Sequence, residues 1–357
     1  MKKGWFNVLS VLATGSVLLA AQLRAQYLYV ANFGSDNVSG YSIDQTTGFL
    51  TPVPLSPFAA GKGPRSIAVD PHTEFAYVAN SGSDNVSAYS IDRNVGALNS
   101  VSDSPFAAGN APYSVVVAAH YVYVANLFGN TVSAYSITFR GILYPVSGSP
   151  FVARSSPISM AADPSDHFIY LANRGSNNVS GYRIDRSTGA LDPVPGSPFV
   201  AGFDPISVAV DPSAKFAYVT NKSSNNVSAY RINLSTGDLT PVPGSPFAAG
   251  NSPRSVAVTV QFVYVANFGS NDVSAYRIGS RGALTPIPGS PFETGRLPRS
   301  VAVDPFSKFV YVANRGDDNI SAYKISSTGA LTPVPGSPFA TGRGPVSLAI
   351  TKHGRLR

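Results

Sequence analysis

The 357-residue chain contains no cysteine, a single tryptophan and few charged residues. Without cysteine, it can form no disulfide framework, thiol nucleophile or cysteine-ligated metal site. Charged residues make up only 13% of the chain, and its formal net charge of +7 is far from the basic stripe of a nucleic-acid binder. The sequence also lacks a Gly-x-Ser-x-Gly elbow, a His-Glu-x-x-His pair and a P-loop. We therefore expect no nucleic-acid partner, metal or other cofactor.

Charge is also scarce near the N-terminus, where Lys2 and Lys3 precede an apolar run over residues 8–21. Ala25 offers a small residue for cleavage, so residues 1–25 are predicted to be a secretory signal peptide. The run is short for a bilayer span, and an uncleaved anchor is the alternative. Cleavage would remove Lys2, Lys3 and Arg24 but no acid, so the net charge would fall from +7 to +4. We expect a secreted or periplasmic protein, residues 26–357, without a membrane span.

The chain is rich in glycine and proline, with 32 and 29 residues, as is typical of many short strands joined by tight turns. Its main feature is a Tyr-Val-Ala-Asn tetrad that recurs with little variation. The Asn that closes the tetrad occurs at Asn32, Asn80, Asn126, Asn173, Asn221, Asn267 and Asn314. These intervals of 46 to 48 residues match the period of propeller blades.

Each repeat is predicted to form four strands, which we name A to D in chain order. In the second repeat, strand A covers residues 65–69, strand B residues 75–79 and strand C residues 86–91, with strand D around Leu98. The period-2 alternation, the β-branched and aromatic residues and the frequent turn signals favour strands over helices. Outside the signal peptide, no window predicts an amphipathic helix.

The connection from strand D to the next strand A carries a repeated Ser-Pro-Phe motif. Its aromatic residue is found at Phe58, Phe106, Phe151, Phe199, Phe247, Phe292 and Phe339. A phenyl ring in a turn-like segment is predicted to be a core wedge between neighbouring repeats.

The two ends of the repeat region complement each other. Residues 27–32 form a strand B without its own strand A, and residues 346–350 form a strand A without a following strand B. Their pairing would close the array and remove its exposed edges. The predicted fold is all-β: a seven-bladed β-propeller of four-stranded antiparallel blades, closed by a C-terminal strand that completes the first blade.

Four motifs recur over residues 27–350: Pro-x-Ser-Val-Ala-Val-Asp-Pro, Tyr-Val-Ala-Asn, Asn-Val-Ser-Ala-Tyr and Thr-Gly-Ala-Leu. Together they resemble the YVTN repeat and the lactonase-type propellers, a family that includes 6-phosphogluconolactonase and muconate-cycloisomerase-like (cycloisomerase 2) proteins. The resemblance implies a seven-bladed propeller, with hydrolysis of a sugar lactone as an associated activity. All four motifs are blade-forming elements, so they indicate the fold more directly than the activity.

Residues found in every blade serve to build blades, so function is expected where the repeats differ. We call the face that carries the D–A and B–C loops the top face. The position after the D–A proline should lie near the mouth of the central channel on that face. It carries Arg65, Tyr113, Ile158, Ile206, Arg254, Arg299 and Val346. Further cations on the same loops are Lys62, Arg154, Arg174, Lys222, Arg296, Arg315 and Arg343.

This basic rim is predicted to bind an anionic or polyhydroxylated ligand, because arginine presents a fork of donors to carboxylate or phosphate. The proposed ligand-binding residues are Arg65, Arg254, Arg299, Arg296, Arg343, Tyr113 and Asp204. The alternative is that the arginine side chains cap carbonyl groups of neighbouring blades or are solvated.

Two carboxylates also break the symmetry of the D–A loops. Glu293 lies near Arg296 and Arg299 in sequence, and it is either a general base or a salt-bridge partner. Asp204 is open to the same two interpretations. The histidines are expected on the opposite face, at His72, His120, His167 and His353.

Two functions follow from these observations. The first is an exported, monomeric scaffold whose top face binds an anionic or polyhydroxylated small molecule, a glycan or a surface protein. Export and the missing top-face histidine favour it. The second, implied by the resemblance, is a lactonase in which Arg65, Arg254 and Arg299 would hold the anion and Glu293 would activate water.

Overall fold

The computed structural model describes residues 25–72 and 74–351. Residues 1–24 of the predicted signal peptide, and His353, lie outside the described residues. Within the described ranges, no helix is long and apolar enough to cross a membrane. The regular elements there are short strands arranged in seven sheets.

In chain order the strands are β1 (Gln26–Asn32), β2 (Asn37–Ile43), β3 (Leu50–Pro52), β4 (Phe58–Ala59), β5 (Pro64–Val69), β6 (Phe75–Asn80), β7 (Asn85–Ile91), β8 (Leu98–Ser100), β9 (Phe106–Ala107), β10 (Pro112–Ala118), β11 (Tyr121–Asn126), β12 (Thr131–Ile137), β13 (Leu143–Pro145), β14 (Phe151–Val152), β15 (Pro157–Ala162), β16 (Phe168–Asn173), β17 (Asn178–Ile184), β18 (Leu191–Pro193), β19 (Phe199–Val200), β20 (Pro205–Val210), β21 (Phe216–Asn221), β22 (Asn226–Ile232), β23 (Leu239–Pro241), β24 (Phe247–Ala248), β25 (Pro253–Val258), β26 (Phe262–Asn267), β27 (Asp272–Ile278), β28 (Leu284–Pro286), β29 (Phe292–Glu293), β30 (Pro298–Val303), β31 (Phe309–Asn314), β32 (Asn319–Ile325), β33 (Leu331–Pro333), β34 (Phe339–Ala340) and β35 (Pro345–Ile350).

The predicted seven-bladed propeller is confirmed, with one refinement to the blade. In blade two the sheet order is β5-β6-β7-β8, which are strands A to D, and β9 also pairs with β7. The outer edge is therefore built from two short pieces that lie on different parts of strand C. Phe106 of the Ser-Pro-Phe motif begins the second piece and pairs with Val86, so it lies in a strand rather than in a turn.

The motif phenylalanines are less uniformly buried than predicted. Phe58 and Phe339 are each only 8% exposed, whereas the other five are half-buried. Phe339 packs in a cluster that contains residues of both blade seven and blade one, including Leu28 and Tyr41. Phe339 therefore packs between blades seven and one, as predicted for the motif.

The ring closes as expected, because β35 pairs antiparallel with β1 and becomes the innermost strand of blade one. Leu28 lies opposite Ile350 in this pairing. Just beyond it, Thr351 and Tyr27 exchange two hydrogen bonds of 2.9 Å. The seventh sheet thus joins the two ends of the chain.

Rings of repeated hydrogen bonds tie each blade to the next. The buried Tyr77 of the tetrad donates to the carbonyl of Gly141 on blade three. The Ser66 hydroxyl of strand A accepts the Val115 N–H of blade three, and Ser347 of β35 accepts the Ile67 N–H. Strand A is the innermost strand of its blade, so its N–H groups that face the channel have no neighbouring strand to bond to. The serine hydroxyls accept these hydrogen bonds instead.

The repeated Asn and Asp side chains hold turns. The Asn80 side-chain amide donates to Asn85 Oδ1 and Ser87 Oγ, both at 2.9 Å. The Asp70 carboxylate accepts the backbone N–H groups of Glu74 and Phe75 at the A–B turn. These groups are used in building the blade.

Candidate functional site

The residue after each D–A proline occupies a special place in its strand. In blade two, Pro64 lies opposite Asn80 and Ser66 opposite Ala79, so Arg65 is an extra residue, as at a β-bulge. The same shift occurs in the other blades around Tyr113, Arg254 and Arg299. Bulges redirect a side chain and are common beside functional sites. The local backbone therefore sets these side chains apart from the ladder of strand A.

The structure brings four of the predicted residues together at the mouth of the channel. A cavity of about 110 Å³ is lined by Arg65, Ser66, Tyr113, Ser114, Ile158, Ile206, Ser207, Arg254, Ser255 and Arg299. Four of these residues have charged or titratable side chains, and we call Arg65, Tyr113, Arg254 and Arg299 the channel-mouth cluster. They come from blades two, three, six and seven.

Hydrogen bonds and aromatic rings hold the cluster in place. Arg299, only 9% exposed, donates from Nη2 to the Tyr113 hydroxyl. The Arg65 guanidinium lies 3.7 Å from the centre of the Phe33 ring, and its Nε donates to Ser81 at 3.2 Å. The Arg254 guanidinium lies 5.0 Å from the centre of the Phe268 ring. Rings at these distances are within the range of cation–π attraction.

The arginines of the channel-mouth cluster are not held in ion pairs. Among residues 25–72 and 74–351, none of its three arginines forms an ion pair within 4.0 Å. Burial lowers the pKa of Arg65 to about 10 and that of Arg299 to about 10. Burial likewise lowers the pKa of Arg254, whose buried Nε has no hydrogen-bond partner. A site that gathers uncompensated guanidinium groups is suited to an anion.

The same charges act on the Tyr113 hydroxyl. Burial alone would raise the pKa of Tyr113, but the positive charges of Arg299, Arg65 and Arg254 outweigh it and lower the pKa below the ordinary 10.0. The buried tyrosines of the tetrad, such as Tyr29, instead have a raised pKa, first because of burial. Tyr113 is therefore chemically distinct from the tyrosines that build the blades.

A second cavity of about 430 Å³ adjoins the first and shares Arg65 and Tyr113 with it. Its other lining residues include Phe33, Lys62 and Phe128. Phe128 is 70% exposed, so an apolar ring borders the opening. The two cavities give room for an anionic group and for a larger body attached to it.

The remaining predicted residues lie outside the cluster. Arg296 Nε pairs with Asp317 at 2.6 Å, and Arg343 is exposed in its loop. Asp204 pairs with Arg174 at 2.5 Å and with Lys222 at 3.4 Å. Of its two predicted roles, general base or salt-bridge partner, these contacts match the salt-bridge partner.

Glu293 is exposed on the two-residue strand β29, where it lies opposite Asp272. It lines neither cavity of the channel mouth. No ion pair of Glu293 is found in the described part of the chain. Of its two candidate partners, Arg296 is held by Asp317 and Arg299 donates to Tyr113.

Of the histidines in the described ranges, His72, His120 and His167 lie between strands A and B on the opposite face, as expected. His72 and His120 stack with ring centres 5.7 Å apart. Over the described ranges, no cluster of three or more His, Asp or Glu side chains is placed to hold a metal ion.

The aromatic partners Phe33 and Phe268 were not anticipated from the sequence. Each is the first residue after the Asn of its tetrad, a position where the other five blades carry Ser81, Leu127, Arg174, Lys222 and Arg315. This departure from the repeat pattern is the sequence signal by which the two aromatic partners can be found.

Comparison with known proteins agrees with this architecture. A family model described as "Lactonase, 7-bladed beta-propeller" matches residues 20–202 and 208–349. No curated protein matches the sequence. A candidate 6-phosphogluconolactonase of Bacteroides fragilis NCTC 9343 is 19% identical, with a TM-score of 0.82 over 93% of this chain and 99% of that one. The periplasmic gluconolactonase of Pseudomonas aeruginosa is 18% identical, with a TM-score of 0.79 over 92% of this chain and 100% of that one. These two likenesses establish a shared fold.

Proposed function

The chain belongs to the lactonase family of seven-bladed β-propellers, and we propose that it hydrolyses a sugar lactone bearing an anionic group at the channel-mouth cluster. One observation carries the proposal: three guanidinium groups converge on one cavity, and none has a counter-ion within 4.0 Å among the described residues. Keeping such charges partly buried is costly unless something compensates them. A bound anion would supply that compensation.

The two cavities suggest how the substrate would lie. Arg254 and Arg299 line only the smaller cavity and would hold the anionic substituent there. The sugar ring would occupy the larger cavity beside Phe33 and Lys62. Arg65 and Tyr113 border both cavities, so the reacting carbonyl would lie next to them.

Hydrolysis requires a water molecule to attack the lactone carbonyl carbon. We assign Tyr113, as phenolate, to take the proton from that water, and Arg65 to donate hydrogen bonds to the oxyanion that forms. Collapse of the tetrahedral intermediate breaks the bond between the carbonyl carbon and the ring oxygen. The ring oxygen takes the proton back from Tyr113, and the product is the open-chain hydroxy acid.

In this proposal Tyr113, and not Glu293, activates the water molecule. Glu293 is exposed on β29 and borders neither cavity, whereas Tyr113 borders both. A general base has to come within hydrogen-bond reach of the water that it activates.

The test is a lactone-hydrolysis assay on purified protein with gluconolactone and its 6-phosphate, followed by acid release above spontaneous hydrolysis. We expect turnover, with a preference for the phosphorylated lactone. Tyr113→Phe should lower kcat by about 10²- to 10³-fold, the usual contribution of a general base.

Glu293→Gln is the matched control and should retain turnover, because it removes a carboxylate on the same face but outside both cavities. No turnover by the unchanged protein with either lactone would contradict the proposal. A propeller that only binds its anionic or polyhydroxylated ligand would then be the better account. Loss of turnover in Glu293→Gln, with Tyr113→Phe unaffected, would return the base to Glu293.

We further propose that residues 1–25 direct export, so that the enzyme acts in the periplasm or outside the cell. The charged start and apolar run support this, and a periplasmic gluconolactonase shares the fold. Fractionation followed by N-terminal sequencing should find a chain that begins at Gln26 outside the cytoplasm. An intact Met1 in the cytoplasm would contradict export.

A further inference from the structure

A second break in symmetry involves the sixth residue of strand C. Blades one to three carry Ser42, Ser90 and Ser136 there. Blades four to seven carry Arg183, Arg231, Arg277 and Lys324, which we call the basic arc. All four cations are exposed. Blades pack mainly on their neighbours, so a change confined to four consecutive blades defines one contiguous surface.

The basic arc lies away from the channel-mouth cluster. Arg231 is opposite Phe216, the first residue of strand B, and therefore lies near the A–B turn. The A–B and C–D turns are at the opposite end of each blade from the top-face loops. The arc thus belongs to the lower outer edge of the propeller.

The charges of the arc are available for a partner. In the described part of the chain, its four cations form no ion pair within 4.0 Å. Arg183 donates to the Ser235 carbonyl of blade five at 2.7 Å, and Arg277 lies 5.3 Å from the centre of the Phe262 ring. These contacts orient the side chains and leave their charge uncompensated.

A groove of about 940 Å³ opens beside the arc, between blades five and six. Three cations line it, namely Lys215, Arg231 and Arg281, against one carboxylate, Asp238. Asp238 also accepts a hydrogen bond from the Thr236 hydroxyl. We call this feature the basic groove.

The other walls of the basic groove combine apolar and polar surface. They include Pro241, Pro243 and Leu234, of which Leu234 is 59% exposed, together with Asn233 and Thr240. Flat apolar faces suit the faces of sugar rings, and amide and hydroxyl groups suit sugar hydroxyls.

We propose that the basic groove and the basic arc bind an acidic polysaccharide, with carboxylates spaced along the polymer meeting cations on successive blades. Single-stranded nucleic acid fits less well, because it needs exposed aromatic platforms, and the aromatic side chain in the groove, Phe216, is only 9% exposed. A membrane surface is flat and would not enter a groove. The proposal does not depend on lactone hydrolysis.

The test measures binding of the purified protein to immobilised polygalacturonate, with neutral dextran as reference. We expect binding to polygalacturonate alone, weakening as salt screens the charges. The double variant Arg231→Ser/Arg277→Ser carries the residue that blades one to three have at this position, so its fold should be retained. Its affinity should fall about tenfold, since two charge-assisted contacts are lost.

The matched control is Arg140→Ser/Arg154→Ser, which removes two exposed arginines outside the arc. Its affinity for polygalacturonate should stay within about twofold of that of the unchanged protein, because total charge alone contributes little to a local contact. An equal loss in both double variants would overturn the proposal. Tighter binding to single-stranded DNA or to anionic vesicles than to polygalacturonate would also overturn it. Lactone turnover of Arg231→Ser/Arg277→Ser should be unchanged, so this test and that of the catalytic proposal can fail separately.

Discussion

The Arg299 guanidinium donates a hydrogen bond to the Tyr113 hydroxyl across the mouth of the channel, although the two residues belong to blades seven and three. The repeated hydrogen bonds of the propeller instead join neighbouring blades, as Tyr77 and Gly141 do. A contact across the channel lets side chains of distant blades share one electrostatic environment. This is how a nearly symmetric ring acquires an asymmetric site.

The first prediction concerns the pH dependence of lactone hydrolysis. The pKa of Tyr113 is lowered below its ordinary value of 10.0. The fraction of Tyr113 present as phenolate, and with it the rate of hydrolysis, should therefore increase as the pH approaches this lowered pKa. Arg65 and Arg299, with pKa values of about 10, lose their charge as pH rises further, and the rate should fall again. We expect a bell-shaped profile of kcat/KM. Tyr113→Phe should lack the rising limb, and a variant that retained it would rule out Tyr113 as the base.

The second prediction is that the channel-mouth cluster lowers stability. Because burial lowers the pKa of Arg299, its charged form opposes folding at every pH below about 10, and the penalty disappears only as pH rises above that value. Arg299→Met should therefore raise the free energy of unfolding at pH 7 by about 1 kcal/mol, the lost bond to Tyr113 offsetting part of the gain. The same substitution should abolish turnover. Both are measured on one preparation, by urea unfolding and by the lactone assay.

Arg343→Met provides the control for this second prediction, because Arg343 is exposed in the equivalent loop. Its stability and activity should match those of the unchanged protein. A loss of stability in Arg299→Met of more than about 1 kcal/mol would show that the arginine stabilises the fold, contrary to the burial argument.

The sequence was sufficient to predict the features that depend on spacing alone. The 46- to 48-residue period, the pairing of β35 with β1 and the convergence of Arg65, Arg254 and Arg299 follow from chain order once a ring is assumed. Contacts between loops were harder to predict. Arg296 pairs with Asp317 because Gly316 N–H bonds to its carbonyl at 2.9 Å and brings the two loops together. That backbone path is a tertiary property, whereas proximity in sequence favours a salt bridge of Glu293 with Arg296 or Arg299.

The third prediction separates backbone strain from crowding at two glycines of blade three. Gly141 and Gly148 have similar φ angles, +79° and +81°. A Cβ on Gly141 would lie 2.4 Å from Phe75, which is 8% exposed, whereas one on Gly148 would meet only Phe151 at 3.7 Å. Gly148→Ala should cost about 1 kcal/mol for the left-handed backbone. Gly141→Ala should cost about 2 kcal/mol more, as overpacking does in a dense core.

Urea unfolding of the two alanine variants is the measurement. Their difference isolates the contact with the Phe75 ring, since both share the same backbone term. Equal losses of stability would mean that the ring moves aside at no cost.

The final prediction tests ring closure by deleting residues 345–357. The deletion removes β35, so β1 becomes an edge strand beside the channel, and Ser347 no longer accepts the Ile67 N–H. Leu28 and Val30, fully buried in the intact ring, would lose the strand that lies next to them. Unpaired apolar edges recruit other chains. The truncated protein should therefore aggregate and melt well below the intact one, as followed by light scattering and calorimetry.

Deleting only residues 352–357 is the matched control, because it keeps the whole of β35 and the Thr351 hydrogen bonds to Tyr27. This shorter deletion should melt at the same temperature as the intact protein. If the longer deletion also stayed monomeric with an unchanged transition, the pairing of β35 with β1 would contribute little to stability. In a ring whose blades pack mainly on their neighbours, opening one junction exposes two blade faces at once, so a large effect is expected.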